Sequence, residues 1–161
     1  MIQNLTLQQI DEIAPLWFKL NELHKSLDLL ITTQPRACSW VERKNELLLK
    51  CAHGHLLQIA WLDDEPIGYC FSSLSKENIG EIDSLYMESH ARKQGIGRQL
   101  VEAALTWLIE QGSEQVELWV HRRNTEAIAF YGRLGFTASP DRQKLTEKLL
   151  LWTPLCAAAE R

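Results

Sequence analysis

The sequence predicts an α/β (α+β) fold, in which a mixed, mostly antiparallel sheet of six to seven strands carries helices on both faces. One observation is the order strand, glycine loop, helix, strand across residues 82–121. Since a helix joins the strands at 82–87 and 116–121, these two strands should pair in parallel. The other observation is a hairpin pattern, in which strand-like runs at 55–62 and 67–74 flank a turn of aspartates and a proline.

The N-terminal third predicts one strand and two helices. Residues 2–7 read as a strand, and apolar residues then recur every three or four positions through 10–27, which indicates an amphipathic helix. Residues 29–39 carry threonines and a proline and read as a loop. Ser39, followed three positions later by a glutamate, fits a capping box and predicts a second helix over 39–52.

Beyond the hairpin, the pattern predicts two more helices and the remaining strands. Apolar residues after the glycine loop lie on one helix face, and Gly112 stands where that helix should end. These apolar residues are Leu100, Val101, Ala104, Leu105 and Leu108. Asn124 opens the next helix, residues 136–139 and 145–152 complete the strands, and residues 156–161 read as a loose tail.

Composition and charge are typical of one globular domain, so a single domain is predicted over residues 1–161. The hydrophobic fraction is 45% and the charged fraction 24%, which is ordinary usage for a chain with one core. The formal net charge of -4 gives no overall footprint for nucleic acid, which is therefore not an expected partner. No apolar run approaches the ~20 residues of a membrane span, and no signal-peptide pattern opens the chain. The expected location is cytoplasmic, without a membrane partner.

The cysteines and histidines do not indicate a metal site. The four cysteines form no C-x-x-C pair, which favours a reduced compartment. They are Cys38, Cys51, Cys70 and Cys156. Cys51, His53 and His55 lie close together in the chain, but no second half of a metal-binding motif accompanies them. No metal is predicted.

The glycine loop is typical of a cradle for phosphate groups. Its residues are Arg92, Lys93, Gln94, Gly95, Ile96, Gly97 and Arg98. Its two glycines present no side chain to a phosphate, and the helix start directs unpaired N–H groups and a positive dipole end toward an anion. A nucleotide-triphosphate loop would need G-x-x-x-x-G-K-[ST], and a dinucleotide fingerprint would need a third glycine where Leu100 stands. Both of these cradle types are excluded.

The pattern Arg92-x-x-Gly95-x-Gly97 resembles the signature Q/R-x-x-G-x-G/A of the GCN5-related N-acetyltransferase (GNAT) superfamily. Residues 124–136 resemble the second conserved block of that superfamily, N-x-x-A-x-x-F-Y-x-x-x-G-F. One helix and one strand separate the two blocks, as the family requires. The resemblance covers about residues 80–137 and implies acetyl-CoA as the co-substrate.

The resemblance also implies how that co-substrate is held. In the family, two central parallel strands splay apart and pantetheine lies between them, so a GNAT-like sheet with such a pair is expected. The backbone of Leu85, Tyr86 and Met87 should pair with the pantetheine amides, and the N–H of Leu85 or a neighbour should polarise the acetyl carbonyl. Residues 92–98 should bind the pyrophosphate. Asn124 should lie near the pantetheine, or else serve only as a helix cap.

Glu81 is the general base that the resemblance implies, because several family members carry a glutamate at a comparable place on this strand. On an alternating strand, Glu81 and Asp83 share one face with Leu85 and Met87. Two carboxylates would attract an ammonium, and their mutual repulsion would raise the pKa of one of them. Asp83, His121 and water are the alternatives for this role.

Tyr131 matches the family tyrosine that donates a proton to the leaving thiolate, so it is expected to be catalytic and to contact the cofactor. A core tyrosine is the alternative. The first functional hypothesis is an acetyl-CoA-dependent N-acetyltransferase that acetylates a primary amine of a small molecule by direct attack in a ternary complex. The alternatives are a protein lysine or N-terminal acetyltransferase and a non-catalytic acetyl-CoA-binding regulatory module. The identity of the acceptor, the acyl-chain preference and a homodimer stay open.

Overall fold

A seven-stranded mixed sheet organises the protein in a computed structural model that describes residues 1–27, 39–139 and 148–155. Within these ranges the strands are β1 (Ile2–Leu5), β2 (His55–Leu62), β3 (Glu65–Leu74), β4 (Gly80–Met87), β5 (Gln115–His121), β6 (Thr137–Ala138) and β7 (Lys148–Pro154). The helices are α1 (Ala14–Leu27), α2 (Trp40–Leu49), α3 (Ile96–Glu110) and α4 (Thr125–Arg133). Short 3-10 turns lie at Leu7–Ile13, Lys50–His53 and Ser89–Ala91.

The strand order is β1-β2-β3-β4-β5-β7-β6, and β4 with β5 is its parallel neighbour pair. The other neighbouring strands in the described sheet pair antiparallel. The predicted fold class is therefore confirmed, including the parallel pairing across the crossover that contains α3. Such a pairing follows from the connection, because a helix returns the chain to the same end of the sheet.

Two apolar cores lie on opposite faces of the sheet. On one face, α3 buries Leu100, Ala104 and Leu108 against the strands, as the helix periodicity predicted. On the other face, the α1 residues Leu16 and Trp17 belong to a core that also includes Leu47 of α2. The sheet therefore carries helices on both faces. The neighbouring edges of β4 and β5 lie between these two helical layers.

Several local signals act as the sequence predicted. The Ser39 hydroxyl accepts a hydrogen bond from the Glu42 N–H at 3.2 Å, and the Glu42 carboxylate accepts one from the Ser39 N–H at 3.0 Å. This is the predicted capping box at the start of α2. The Asn124 side chain caps α4 by accepting from the Ala127 N–H at 3.1 Å.

Some boundaries differ from the prediction. The first helix begins with the 3-10 turn Leu7–Ile13, and α2 passes into the 3-10 turn Lys50–His53. The hairpin turn is tighter than predicted, because Asp63 and Asp64 both adopt positive φ angles, 48° and 63°, and Pro66 already lies in β3. The predicted loop at 29–38, the first residues of the strand at 145–147 and the predicted tail lie outside the described residues.

No helix among the described residues is both long enough and apolar enough to cross a membrane.

Candidate active site

The strands β4 and β5 pair only where they begin, in the part of the sheet that the structure describes. Their register contains the pairs Gly80 with Val116 and Glu81 with Glu117. Both strands continue beyond these pairs, β4 to Met87 and β5 to His121. The backbone edge of β4 that faces β5 is therefore left without ladder bonds over its second half, as the expected splay requires.

A β-bulge lies where the two strands separate. Ser84 opposes Phe71 and Ile82 opposes Ser72 on β3, so Asp83 is an extra residue in β4. A bulge adds one residue to one strand and reverses the side-chain alternation that follows it.

The expectation that Glu81, Asp83, Leu85 and Met87 share a face is wrong for this reason. Glu81 and Asp83 both approach Lys50 beside α2, whereas Leu85 and Met87 pack into the core beneath α3. The side chain of Tyr86 instead joins the core on the α1 side.

The backbone of β4 directs alternate residues toward the gap. The Glu88 N–H donates to the Ile67 carbonyl at 2.8 Å, which makes the opposed pair of Gly68 and Met87 a non-hydrogen-bonded pair. By the alternation of an antiparallel ladder, Tyr86 then bonds to β3, while Leu85 and Met87 direct their N–H and C=O groups toward β5. The Met87 carbonyl accepts from Nε of Arg92 at 2.9 Å.

The N-terminus of α3 lies at the end of this edge. Its N-cap residue is Gly95, with φ +83° in the left-handed region, and no side chain among the described residues caps the helix. Lys93 also has a positive φ of 62°. A Cβ placed on Gly95 would meet nothing within 4 Å. The first N–H groups of α3 therefore lie next to open space at Gly95. Unpaired N–H groups at a helix N-terminus favour binding of an anion.

The second glycine of the loop faces the protein interior instead. A Cβ on Gly97 would lie 3.4 Å from Cγ of Met87 and 3.8 Å from Cζ of Phe130. Met87 is the last residue of β4, and Phe130 lies in α4 and packs against the same core. A larger residue at this position would therefore press on Met87 and Phe130. The sequence had indicated that the side of Gly97 without a side chain faces a phosphate instead.

Three charged or polar side chains of the loop, Arg92, Gln94 and Arg98, have partners within the protein. The Arg92 guanidinium lies 5.9 Å from the centre of the Tyr86 ring. Arg98 bonds through Nε to Glu102 at 2.6 Å and is 63% exposed, and Gln94 donates to the His90 carbonyl at 3.0 Å. Backbone groups, rather than these side chains, are the principal feature of the loop.

Tyr131 lies buried in α4 on the α3 side of the sheet. Its ring packs edge-to-face against Phe130 and Phe136, with centroids 5.2 Å and 5.5 Å away. Burial raises the pKa of the Tyr131 hydroxyl well above its usual range. At neutral pH the group is therefore a protonated phenol that can donate a proton.

A cluster of charges surrounds Glu81 on the α2 side. The Lys50 ammonium lies 2.8 Å from a carboxylate oxygen of Glu81 and 2.8 Å from one of Asp83. The Asp83 side chain is 1% exposed, and both of its oxygens lack a hydrogen-bond donor among the described residues, so its contact with Lys50 is an ion pair without hydrogen-bond geometry. Burial raises the pKa of Glu81, the Asp83 charge raises it further, and Lys50 opposes both.

Glu81 lies in the wall of a cavity of about 460 Å³. The cavity is lined by Leu49, Lys50, His53, Ser73, Leu74, Ser75, Glu77, Ile79, Glu81 and Glu117. We call this cavity the acidic groove, since three glutamates line it against one lysine and one histidine. It is open to the α2 side of the sheet, on the face to which Glu81 points.

His121, the further candidate for the base, lies buried at the end of β5. Its Nδ1 accepts a hydrogen bond from the Arg123 N–H at 3.1 Å, so the neutral ring carries its proton on Nε2. Within the described ranges, no group of three His, Cys, Asp or Glu side chains is arranged to hold a metal ion.

Sequence reasoning missed two cations of the α2 region, Lys50 and Arg43. Arg43 donates through Nη2 to the Asp83 carbonyl at 2.9 Å. A weak signal was present, because Arg43, Leu47 and Lys50 are spaced four and three residues apart and share one helical face. Since Leu47 is fully buried, both cations are carried toward the sheet.

Comparison with known proteins identifies a matching family and several similar proteins. The family model described as "Acetyltransferase (GNAT) family" matches residues 17–136. The chain is 27% identical over 141 residues to an uncharacterised N-acetyltransferase of Methanocaldococcus jannaschii, covering 84% of the chain and 59% of the relative. It is 26% identical over 145 residues to a mycothiol acetyltransferase of Corynebacterium efficiens, covering 86% of the chain and 45% of the relative. The chain thus spans about half the length of these relatives.

A solved structure has the same fold. The paia N-acetyltransferase of Thermoplasma acidophilum, determined in complex with coenzyme A, matches with a TM-score of 0.68 at 20% sequence identity. The match covers 96% of the chain and 98% of the solved protein. At this identity the match supports the fold alone.

Proposed function

Because the chain belongs to the acetyltransferase (GNAT) family, we propose that it transfers an acetyl group from acetyl-CoA to a primary amine of a small molecule, by direct attack in a ternary complex. The observation that carries this proposal is the gap between β4 and β5, which opens beside the N-terminus of α3, a helix start that no described side chain caps. A long ligand with an anionic end and an amide-containing arm fits such a combination.

The loop residues present fit a pyrophosphate. The αL backbone and missing side chain of Gly95 leave room for an anion, and the α3 dipole favours negative charge there. We assign pyrophosphate binding to the backbone of residues 92–98. Arg92 and Arg98 add positive charge at the rim, but their contacts with Met87 and Glu102 make them secondary.

The pantetheine arm would lie along β4. The N–H groups of Leu85 and Met87 point toward the gap and are the donors that we assign to it. Tyr86 was expected to contribute backbone bonds as well, but its N–H and C=O are directed to β3. The N–H of Leu85, the first of these donors after the bulge at Asp83, is the group that we assign to polarising the acetyl carbonyl.

Acetyl-CoA, when bound, supplies an acetyl thioester with a thiolate as its leaving group. Tyr131 would donate a proton to the thiolate, the role that its match to the family tyrosine implies; its buried hydroxyl is protonated at neutral pH. Asn124 starts the helix that carries Tyr131, so we assign to it the placement of that residue by capping. Its expected position near the pantetheine stays a prediction.

The acidic groove, which lies on the α2 side of the sheet and opposite to the α3 side that holds Tyr131, would receive the amine. An alkyl amine with an ordinary pKa near ~10 arrives protonated at neutral pH and cannot attack until it loses a proton. Glu81 lines the groove and has a raised pKa, so it is suited to take that proton directly or through water. Holding amine and thioester together is worth about 7–11 kcal/mol, more than acid–base catalysis at about 10²- to 10⁴-fold.

A small-molecule acceptor is favoured over a protein. The groove of about 460 Å³ is in the range of small-molecule sites, roughly 300–1,000 Å³. Three glutamates around the groove favour a cationic acceptor.

The experiment is coenzyme A release from acetyl-CoA, measured over a panel of small amines, aminoglycosides and lysine peptides. We expect turnover with a cationic small amine and little with peptides. Turnover with peptides alone would favour the protein acetyltransferase. Tight calorimetric binding of acetyl-CoA without turnover on any acceptor would favour the regulatory module. A cytoplasmic location stays a prediction.

A further inference from the structure

Lys50 connects the turn after α2 to two carboxylates of β4. Its ammonium lies 2.8 Å from a carboxylate oxygen of Glu81 and 2.8 Å from one of Asp83. Burial lowers the pKa of Lys50, but the charges of Asp83 and Glu81 outweigh it, so that this pKa lies above its usual value. The lysine is therefore charged at every pH at which the enzyme would work.

The charges around Glu81 come from each element that packs against it. Asp83 lies on the same strand, Glu117 is its register partner on β5, and Lys50 and His53 come from the 3-10 turn. Glu77 also lines the groove, from the loop before β4. Among the described groups that shift the pKa of Glu81, the two acids raise it and Lys50 lowers it.

We propose that Lys50 is a positioning residue for the base: by pairing with both carboxylates, it keeps Glu81 ionised and in place in the wall of the acidic groove. This role rests on the proposed function, in which Glu81 accepts the proton of the amine. Lys50 itself neither touches the reacting atoms nor receives the acetyl group.

A purely mechanical role for Lys50 is less suited to the geometry. Arg43 already joins α2 to the same bulge, through the Asp83 carbonyl at 2.9 Å. Lys50 instead contacts the carboxylates themselves, and among the described residues it is the cation that forms ion pairs with Glu81 and Asp83. Its removal should thus change the ionisation of Glu81 while Arg43 still holds the strand.

Two substitutions should shift the pKa of Glu81 in opposite directions. Lys50→Met removes the nearby cation and should raise the pKa of Glu81, whereas Asp83→Asn removes a nearby anion and should lower it. Each shift should be on the order of one pH unit, since the site is partly open to water. Lys50→Arg keeps the charge and should keep the profile close to that of the parent protein.

The experiment measures two quantities for each variant: the acid limb of kcat/KM against pH, and the titration of the Glu81 carboxyl by ¹³C NMR, assigned with Glu81→Gln. We expect the midpoint of the acid limb and the midpoint of the Glu81 titration to move to higher pH in Lys50→Met and to lower pH in Asp83→Asn. Shifts in the same direction, or no shift in either variant, would overturn the proposal. The NMR titration requires no acceptor, so it is measured on the free protein.

Lys50→Met leaves Asp83 buried without a counter-charge and is at risk of not folding. The double variant Lys50→Met with Asp83→Asn removes both charges, and its Glu81 titration should lie between those of the two single variants. If the pKa of Glu81 in the double variant equals that in Asp83→Asn, Lys50 has no effect on Glu81 and the proposal is overturned.

Failure of the proposed function gives a different pattern. If Glu81→Gln keeps full turnover while the NMR shifts occur as expected, Glu81 is not the base, and the catalytic role of Lys50 is overturned with it. If Glu81→Gln loses turnover while Lys50→Met leaves the Glu81 titration unchanged, the base assignment stands and only the role of Lys50 is overturned.

Discussion

Arg43 donates a hydrogen bond through Nη2 to the main-chain carbonyl of Asp83 at 2.9 Å. Asp83 is the bulge residue of β4, next to the point at which β4 and β5 stop pairing. A bulge leaves backbone groups without ladder partners, and a buried carbonyl without a donor costs free energy. The helix α2 therefore stabilises the bulge, and with it the gap that we assign to the cofactor.

The first prediction concerns this bond. Arg43→Met should lower the free energy of unfolding by about 1–2 kcal/mol, because a partly buried bond from a charged donor is lost. It should also weaken acetyl-CoA binding, because the bulge determines where the gap begins. Urea unfolding and calorimetry measure the two effects.

The control for Arg43 is Lys44→Met on the same helix. Lys44 pairs with the exposed Asp11 at 2.7 Å, and a surface pair of this kind contributes only about 0–1 kcal/mol. Equal effects of the two substitutions on acetyl-CoA affinity would contradict a special role for the bulge.

The second prediction concerns the size of residue 97. Gly97→Ala should be tolerated, since its Cβ would be in ordinary contact with Met87 at 3.4 Å. Gly97→Val adds two methyl groups toward Met87 and Phe130, so it should narrow the gap and weaken acetyl-CoA binding tenfold or more, about 1.4 kcal/mol. Calorimetry with acetyl-CoA on the folded variants is the measurement.

Gly132→Val provides the matched control for Gly97→Val. Gly132 is also a helical glycine, in α4, and a Cβ there would meet nothing within 4 Å. Its substitution should leave acetyl-CoA affinity unchanged. An affinity that survives Gly97→Val as well would argue against a cofactor beside Met87.

The third prediction concerns the proton donor. Tyr131→Phe keeps the ring contacts with Phe130 and Phe136 and removes only the hydroxyl, so turnover should fall by about 10²-fold or more while acetyl-CoA affinity changes little. The turnover number at saturating acetyl-CoA is the measurement.

Tyr69→Phe is the control for Tyr131→Phe. Tyr69 is also buried, but its hydroxyl bonds to the Ser84 hydroxyl at 2.6 Å. Its loss should reduce stability by about 0.5–1.5 kcal/mol and spare turnover. Equal turnover in Tyr131→Phe and the parent protein would return Tyr131 to a purely structural role.

The fourth prediction concerns the base. The pKa of Glu81 is raised, so its basic form is present above that pKa and is lost as pH falls through it. Activity should therefore decline on the acid side at a pH above the ordinary glutamate value. Glu81→Gln should lower turnover most near neutral pH, and the loss should shrink as alkaline pH deprotonates the amine unaided.

Glu77→Gln is the control for Glu81→Gln, because Glu77 also lines the groove but is not on β4. It should change KM for a cationic acceptor more than turnover. If Glu81→Gln has no effect, or the same effect at every pH, water or His121 would become the proton acceptor of choice.

Much of the fold was accessible from local patterns. The capping box at Ser39, the cap at Asn124 and the left-handed Gly112 at the end of α3 each depend on residues within one turn of the chain. The strand that became β2 was predicted with its observed bounds. Such signals are readable because backbone conformation and nearest neighbours decide them.

The face of Glu81 was only half predictable. Strict alternation placed Glu81 and Asp83 together, which the structure supports, but it also placed Leu85 and Met87 with them. The bulge at Asp83 reversed the alternation. A bulge depends on how β4 pairs with β3, and that pairing is absent from the local pattern of β4.

The sequence by itself determined the order of the elements, the parallel strand pair and the glycine loop before α3, because crossover connections and glycine geometry act locally. Only the tertiary structure decided that Lys50 meets Glu81, 31 positions away along the chain, and that Arg43 holds the bulge. Contacts at this separation arise because α2 packs on the sheet. The sequence shows that a side chain is charged, but it does not show which distant residue that side chain will contact.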